Sequence, residues 1–353
     1  MAFMPDALRL VLEAKSAVLA DLDLASREPE RLLVLSDLTG TMQVYELTAP
    51  GGLIPLSALA DPVATAHYVP GRREAVLEVD SGGNERYQLY RIDLEAAAKS
   101  PVTATSELVA LTADPRHGHR FAGISPDGAS LAYLSNRANG VDFDLWLCDL
   151  DSLDHRLLYE SGAYCRPGSG FSPGGRHVSV LRPGLRPLDV DLVLVDVGNG
   201  GHRFILVHPE EAAVVGPPAW EDEHHFFVPC NVGRDLAAVV SFDLASGSTT
   251  TLAGTGERFD AAPVTSPDGS TLLIVENRDV PAHCGATTQR PGPPATRSSS
   301  LRKESSPPMR SSSTSSRCRS CRPTAPVSTT RSQRHGSLRT SGYMTSRAEA
   351  AVA

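Results

Sequence analysis

The chain has 353 residues, 41% hydrophobic and only 5% aromatic, enough to bury a large core in one to three domains. Its formal net charge of −8 conceals two materials: from Val280 onward 11 arginines and one lysine face two glutamates, a surplus of ten positive charges, while the first 279 residues hold 21 basic and 39 acidic side chains. No run approaches the ~18 uninterrupted apolar residues of a membrane span, and six cysteines in so long a chain do not make a disulfide scaffold.

The start, Met1-Ala-Phe-Met-Pro-Asp-Ala-Leu-Arg9, has no basic opening, and Asp6 and Arg9 interrupt any apolar stretch, so no secretion signal is expected. Cys148, Cys165 and Cys230 lie in or near apolar runs and read as buried thiols of a reducing, cytoplasmic setting. Residues 6–20 are rich in Leu and Ala, and Asp6 is placed to cap a helix start. This predicts a short helix in an N-terminal arm, residues 1–30.

From Arg31 the apolar period becomes two, the period of strands. Leu32–Ser36 and Met42–Leu47 flank Asp37-Leu-Thr-Gly40; Ala75–Val79 and Tyr87–Leu94 flank Asp80-Ser-Gly-Gly-Asn84. Leu131–Ser135 and Asp144–Leu150 flank Asn136-Arg-Ala-Asn-Gly140. Val178–Leu181 pairs with Val190–Val197, and Phe226–Cys230 with Ala237–Leu244. Strand-length runs around Gly, Asn and Asp are hairpin chemistry.

The second run of each pair ends on an acid between apolar residues. These acids, Glu46, Asp93, Asp149, Asp196 and Asp243, are spaced by 47, 56, 47 and 47. The long interval contains Ala96–Thr105, read as a loop insertion. Three units open on a matching turn: Ser125-Pro-Asp-Gly128, Ser172-Pro-Gly-Gly175 and Ser266-Pro-Asp-Gly269, with Trp220-Glu-Asp-Glu223 standing where a fourth is due. Pro presets the second turn position, Asp bonds its own backbone, and Gly accepts positive φ. A 47-residue period with about four short strands predicts an all-β fold, a β-propeller of four-stranded blades. Each blade must bury its faces against its neighbours.

Five blades are complete and a sixth begins with Thr271–Glu276. The next acid is due at position 290, where Arg290 stands before Pro-Gly-Pro-Pro294. Residues 280–353 are Ser, Arg, Pro and Thr with few aliphatics, a composition expected to stay disordered. A reading-frame break in a GC-rich gene accounts for this better than a natural basic tail, because the change falls inside a strand-pair unit. The domain reading is therefore 1–30 arm, 31–279 propeller, 280–353 tail.

The units Ser-Pro-Asp-Gly, strand, Ser-Asn-Arg, loop, Asp-Leu-Trp-Leu-x-Asp-Leu, as in 125–150, resemble the TolB-like β-propeller repeat. That repeat occurs in TolB and in the N-terminal propeller of prolyl oligopeptidase-type serine peptidases, and the resemblance covers about residues 31–279. Absence of a secretion signal agrees better with the peptidase group than with periplasmic TolB. The resemblance implies a propeller that restricts entry of peptides to an α/β-hydrolase domain carrying the catalytic serine, acid and histidine. Nothing in this sequence matches that domain. The chain reads as a truncated, non-catalytic propeller, with a TolB-like protein-binding module and a small propeller hydrolase of lactonase type as alternatives.

Several motifs imitate chemistry. Gly170-Phe-Ser-Pro-Gly174 fits the Gly-x-Ser-x-Gly nucleophile elbow, but Pro173 lacks the N–H an oxyanion hole needs, and a strand follows where the elbow needs a helix. Glu221-Asp-Glu-His-His225 and His117-Gly-His119 offer metal-capable groups without a convergent geometry and read as surface loops. Cys318-Arg-Ser-Cys321 has zinc or redox spacing but no second pair and no βαβ context. The basic tail lacks the interleaved aromatics of specific nucleic-acid binding. The five strand-end acids read as turn or cap groups. No catalytic, cofactor-binding or metal-binding residue is assigned; the expected partner is a peptide substrate or a protein at the propeller face, with no specific nucleic acid and no membrane.

Overall fold

The structure, a computed structural model, describes residues 15–22, 31–48, 51–254, 259–278 and 287–289. Six antiparallel sheets follow one another, each built from strands that are neighbours in chain order. Blade one contains β1 (Ala17–Leu22), β2 (Arg31–Ser36), β3 (Gln43–Thr48) and β4 (Gly52–Pro55). Blade two contains β5 (Val63–Tyr68), β6 (Glu74–Val79), β7 (Gln88–Asp93) and β8 (Val109–Ala110). Blade three contains β9 (His119–Ile124), β10 (Ser130–Ser135), β11 (Asp144–Asp149) and β12 (His155–Tyr159). Blade four contains β13 (Arg166–Phe171), β14 (His177–Pro183), β15 (Val190–Asp196) and β16 (His202–Ile205). Blade five contains β17 (Ala219–Trp220), β18 (His225–Cys230), β19 (Ala238–Asp243) and β20 (Thr249–Ala253). Blade six contains β21 (Phe259–Thr265), β22 (Leu272–Arg278) and β23 (Thr287–Gln289). This is the all-β propeller that the 47-residue period requires.

Two expectations change. The helix read over residues 6–20 is a strand where it is described: Ala17–Leu22 pairs along β2 from Ala17 opposite Ser36 to Leu22 opposite Leu32, with a bulge between Leu19 and Asp21. Helix propensity is a weak preference, and here the ladder satisfies the edge of β2 that a helix would leave unpaired. The rest of the arm, residues 1–14 and 23–30, lies outside the described residues. Of the segment read as a disordered tail, Thr287–Gln289 pairs with Leu272–Ile274 as the third strand of blade six; the other residues of that segment, Cys318 and Cys321 included, also lie outside the described set.

The nine-residue excess in blade two, read as a loop, contains a short helix. Asp93 ends β7 and accepts hydrogen bonds from the amides of Glu95 and Ala96, which starts α1 (Leu94–Lys99). Leu94 and Ala97 are its buried face. Among the described residues no helix is long and apolar enough to cross a membrane.

Five apolar clusters lie between successive blades. Leu33, Val44 and Leu56 of blade one pack with Leu77 and Ile92 of blade two. Val76 and Leu89 meet Leu131 and Tyr133 of blade three. Leu134 and Leu145 meet Val178 and Val193 of blade four. Leu192 and Leu194 meet Phe226 and Val228 of blade five, and Phe227 and Val239 meet Leu272 and Ile274 of blade six. Blades two to five thus each have two apolar faces, and their stability is shared with their neighbours.

The turns between first and second strands repeat one piece of chemistry. The Ser125, Ser172 and Ser266 amides each donate to the carbonyl five residues on, and each serine hydroxyl oxygen accepts the amide of that same residue. In blade five Glu221 takes this place and donates to the His225 carbonyl, a turn one residue shorter. Gly128 and Gly269 have φ of +68° and +69°, and a Cβ on either would strike a carbonyl of the preceding blade, Pro70 or Glu221.

Candidate functional site

The C-terminal ends of all six first strands converge on one central cavity of about 650 Å³. Its wall includes Asp21, His67, Phe121, Ser169, Trp220 and Thr265, one from each blade, and Pro70, Pro126, Pro173 and Pro267 from the turns that follow the strands. Most of this lining is apolar or neutral. The His67 ring stacks on Phe121 at 3.8 Å between centroids and 4° between planes. Burial drives its pKa down to about 4, so it is a neutral imidazole at pH 7 despite Asp21 at 3.9 Å. Trp220 is 8% exposed, and its indole N–H has no hydrogen-bond partner.

Beside the cavity, Glu223 of blade five reaches across to blade four. It accepts the Ser172 hydroxyl at 2.7 Å and the Gly174 amide at 2.6 Å, and lies 3.3 Å from His177 Nδ1. Serine, histidine and acid are together, but in the wrong order for acyl transfer. The Ser172 proton is committed to the carboxylate rather than to an imidazole base. The hydroxyl oxygen is also occupied by the His177 amide, and Ser172 is fully buried. The segment 170–174 joins strand to strand, so the elbow motif is a propeller turn.

The other sequence candidates separate. Asp222 accepts the His224 and His225 amides and the His225 ring, raising that ring's pKa, while Glu223 points to blade four. His117 bonds Asp114 at 2.8 Å; His119 is buried beside Tyr133, with burial pushing its pKa down to about 4. Asp149, Asp196 and Asp243 each accept two amides of the turn that follows, and Asp93 caps α1. Glu46 differs: it is buried and bonded by Arg73 and Tyr68 of blade two.

One cluster escaped the sequence reading. Asp189, Asp191 and His208 place three potential ligand atoms within 4.8 Å of one another. His208 Nδ1 donates to the Leu206 carbonyl at 2.9 Å, and Nε2 lies 2.7 Å from Asp189 and 3.8 Å from Asp191. The His208 side chain is 2% exposed. Burial opposes charge on this ring, but the Leu206 carbonyl and the two carboxylates outweigh it and raise its pKa. Asp189 also accepts the Ala213 amide. The signal was present in the repeat: Asp191 and His208 each follow Asp144 and Ser161 of blade three by 47 residues, and Ser161 donates to Asp144. Nothing in local spacing brings residues 17 to 19 apart together; the blade does.

No family model matches the chain, and no curated protein matches it. Solved structures do. A prolyl endopeptidase superimposes with TM-score 0.56 at 13% identity over 75% of this chain and 40% of its own. Puromycin hydrolase gives 0.53 at 21% identity over 74% and 41%, and TolB from Acinetobacter baumannii 0.46 at 16% over 77% and 65%. The chain thus spans about two fifths of the length of the two hydrolytic enzymes. At these identities the likeness is one of fold, and the fold it shares with them is the β-propeller.

Proposed function

We propose that the chain is the propeller portion of a prolyl oligopeptidase-type serine peptidase, a non-catalytic ring that restricts which peptides reach a separate catalytic domain. The observation that carries this reading is the central cavity: every blade contributes to its wall, its lining is largely apolar and neutral, and the one serine that imitates a nucleophile is tied to Glu223. A cavity so lined accepts an extended peptide without selecting for charge, as a filter requires.

The purified chain is tested with a serine-reactive phosphonate and a panel of peptide and ester substrates. Neither labelling nor turnover is expected, and binding of proline-containing peptides quenches or shifts the emission of Trp220. Covalent labelling or turnover overturns the reading. Hydrolysis abolished by chelation assigns instead a small propeller hydrolase. Capture of one folded protein at fixed stoichiometry, with no response to peptides, assigns a binding module.

A further inference from the structure

We propose that Asp189, Asp191 and His208 form a binding site for a divalent metal ion of the zinc type, at the end of blade four away from the central cavity. The third strand of a blade runs parallel to the first, so the start of β15 lies at the opposite end from the cavity wall formed by the end of β13. Two loops supply the ligands: the connection into β15, and the segment after β16.

The orientation of the imidazole is the first argument. With Nδ1–H donating to the Leu206 carbonyl, Nε2 is the nitrogen that faces both carboxylates, and a metal ion there would displace the proton Nε2 shares with Asp189. A ligating histidine is held in this way, with its other nitrogen on a carbonyl or carboxylate that fixes tautomer and ring plane. Two carboxylates and one neutral imidazole form a dianionic N/O donor set suited to zinc and similar dications. The Nε2–oxygen separations of 2.7 and 3.8 Å straddle the ~3.3 Å between two ligands held at about 2.0–2.1 Å on a tetrahedral ion. Asp191 is 22% exposed, leaving the fourth direction to water.

The repeat supplies the independent argument. In blade one Ser57 donates to Gln43, and in blade three Ser161 donates to Asp144. One acceptor and one hydroxyl are sufficient to latch the inter-blade segment to the third strand. Asp191 stands opposite Arg182 as Asp144 stands opposite Ser135, and all these positions advance by 47. Blade four therefore keeps both acids, Asp189 where blade three has Asp142 and Asp191 where it has Asp144, and exchanges the serine for histidine. A hydroxyl is sufficient for the latch in blade three; the histidine in its place brings a ring nitrogen between the two acids. The nearby cation, Arg182, is engaged with the Ser161 carbonyl at 3.2 Å.

The test uses the full chain carrying Cys318→Ser and Cys321→Ser, so that the CxxC pair does not compete for metal. Zinc is titrated against a chromophoric chelator, and thermal unfolding is followed with and without zinc. One equivalent of zinc is held and raises the unfolding temperature. Cobalt in its place shows d–d bands without thiolate charge transfer. Asp191→Asn preserves size and leaves the Asp189–His208 contact in place; it loses affinity about tenfold or more and the zinc-dependent rise. His208→Ala abolishes binding. If the parent holds no tight equivalent, or both variants hold zinc as the parent does, the three residues are a proton-bridged latch and the proposal fails.

Discussion

Arg73 grips both carboxylate oxygens of Glu46, at 2.8 and 3.1 Å, joining blade two to blade one. Glu46 is 1% exposed and also accepts the Tyr68 hydroxyl at 2.9 Å. Burial alone would raise its pKa, but the bonds from Arg73 and Tyr68 and the charges of Arg73 and Arg31 hold it below the usual carboxylate value. Removing one partner of such a pair leaves a buried charge uncompensated. Arg73→Ala is expected to cost about 3 kcal/mol, the lower end for a buried pair because Arg31 remains 3.8 Å from Glu46. Lys99→Ala, which breaks the exposed Lys99–Glu95 pair on α1, is expected to cost under about 0.5 kcal/mol. Urea unfolding of the two variants measures the contrast.

Acid should weaken the fold well before its carboxylates titrate. His119 is 1% exposed and neutral in the folded state, its pKa pushed down to about 4 by burial. In the unfolded chain the ring takes up a proton near its ordinary value of 6.5. Between these values the unfolded state binds more protons, so stability falls as pH drops from about 6.5 to about 4, by on the order of 2–3 kcal/mol. His67 acts in the same direction. Neither nitrogen of His119 makes a hydrogen bond of normal geometry. His119→Phe should therefore be neutral or stabilising at pH 7 and should flatten the pH dependence, read from unfolding midpoints across pH 4–7.

Two glycines separate conformational strain from collision. Gly40 has φ of +104° and nothing near an added Cβ; Gly128 has φ of +68° and the Pro70 carbonyl directly in the way. Gly40→Ala is expected to cost about 1 kcal/mol for the backbone alone. Gly128→Ala should cost more, about 2–4 kcal/mol, because the turn must also withdraw from blade two. Thermal unfolding of the pair tests the ordering.

Blade six should open first. Its cluster joins Ala261, Leu272 and Ile274 only to blade five, and Val264 and Val275 are 51% and 38% exposed. Among the described residues no apolar cluster joins it to blade one. Amides of β21 and β22 should exchange orders of magnitude faster than those of β10 and β11, which have blades on both sides. Uniform protection across all six blades in hydrogen-exchange mass spectrometry would contradict this.

The architecture was legible because a propeller is written locally. Ser125, Ser172 and Ser266 each carry their turn within six residues, and the acids at 149, 196 and 243 each cap a turn of their own strand end, so a count of residues located the blades. Legibility failed where a partner from another blade decides. Residues 17–20 have helix-forming composition and became strand because β2 offered an open edge. Glu46 looks like the other strand-end acids and is instead the buried anchor of Arg73.

The sites divide in the same way. Sequence alone could dismiss Ser172 as a nucleophile, since Pro173 has no N–H, and could show that Glu221–His225 are adjacent groups with no common direction. Only the tertiary structure brought Glu223 to Ser172 from 51 residues away, set six strand ends around one cavity, and placed His208 against Asp189 and Asp191. Turns and strands follow from hydrogen bonds between near neighbours, which the order of residues specifies. The cavity and the His–Asp cluster follow from how sheets stack and how their connecting segments cross, and that is set by the burial of whole faces.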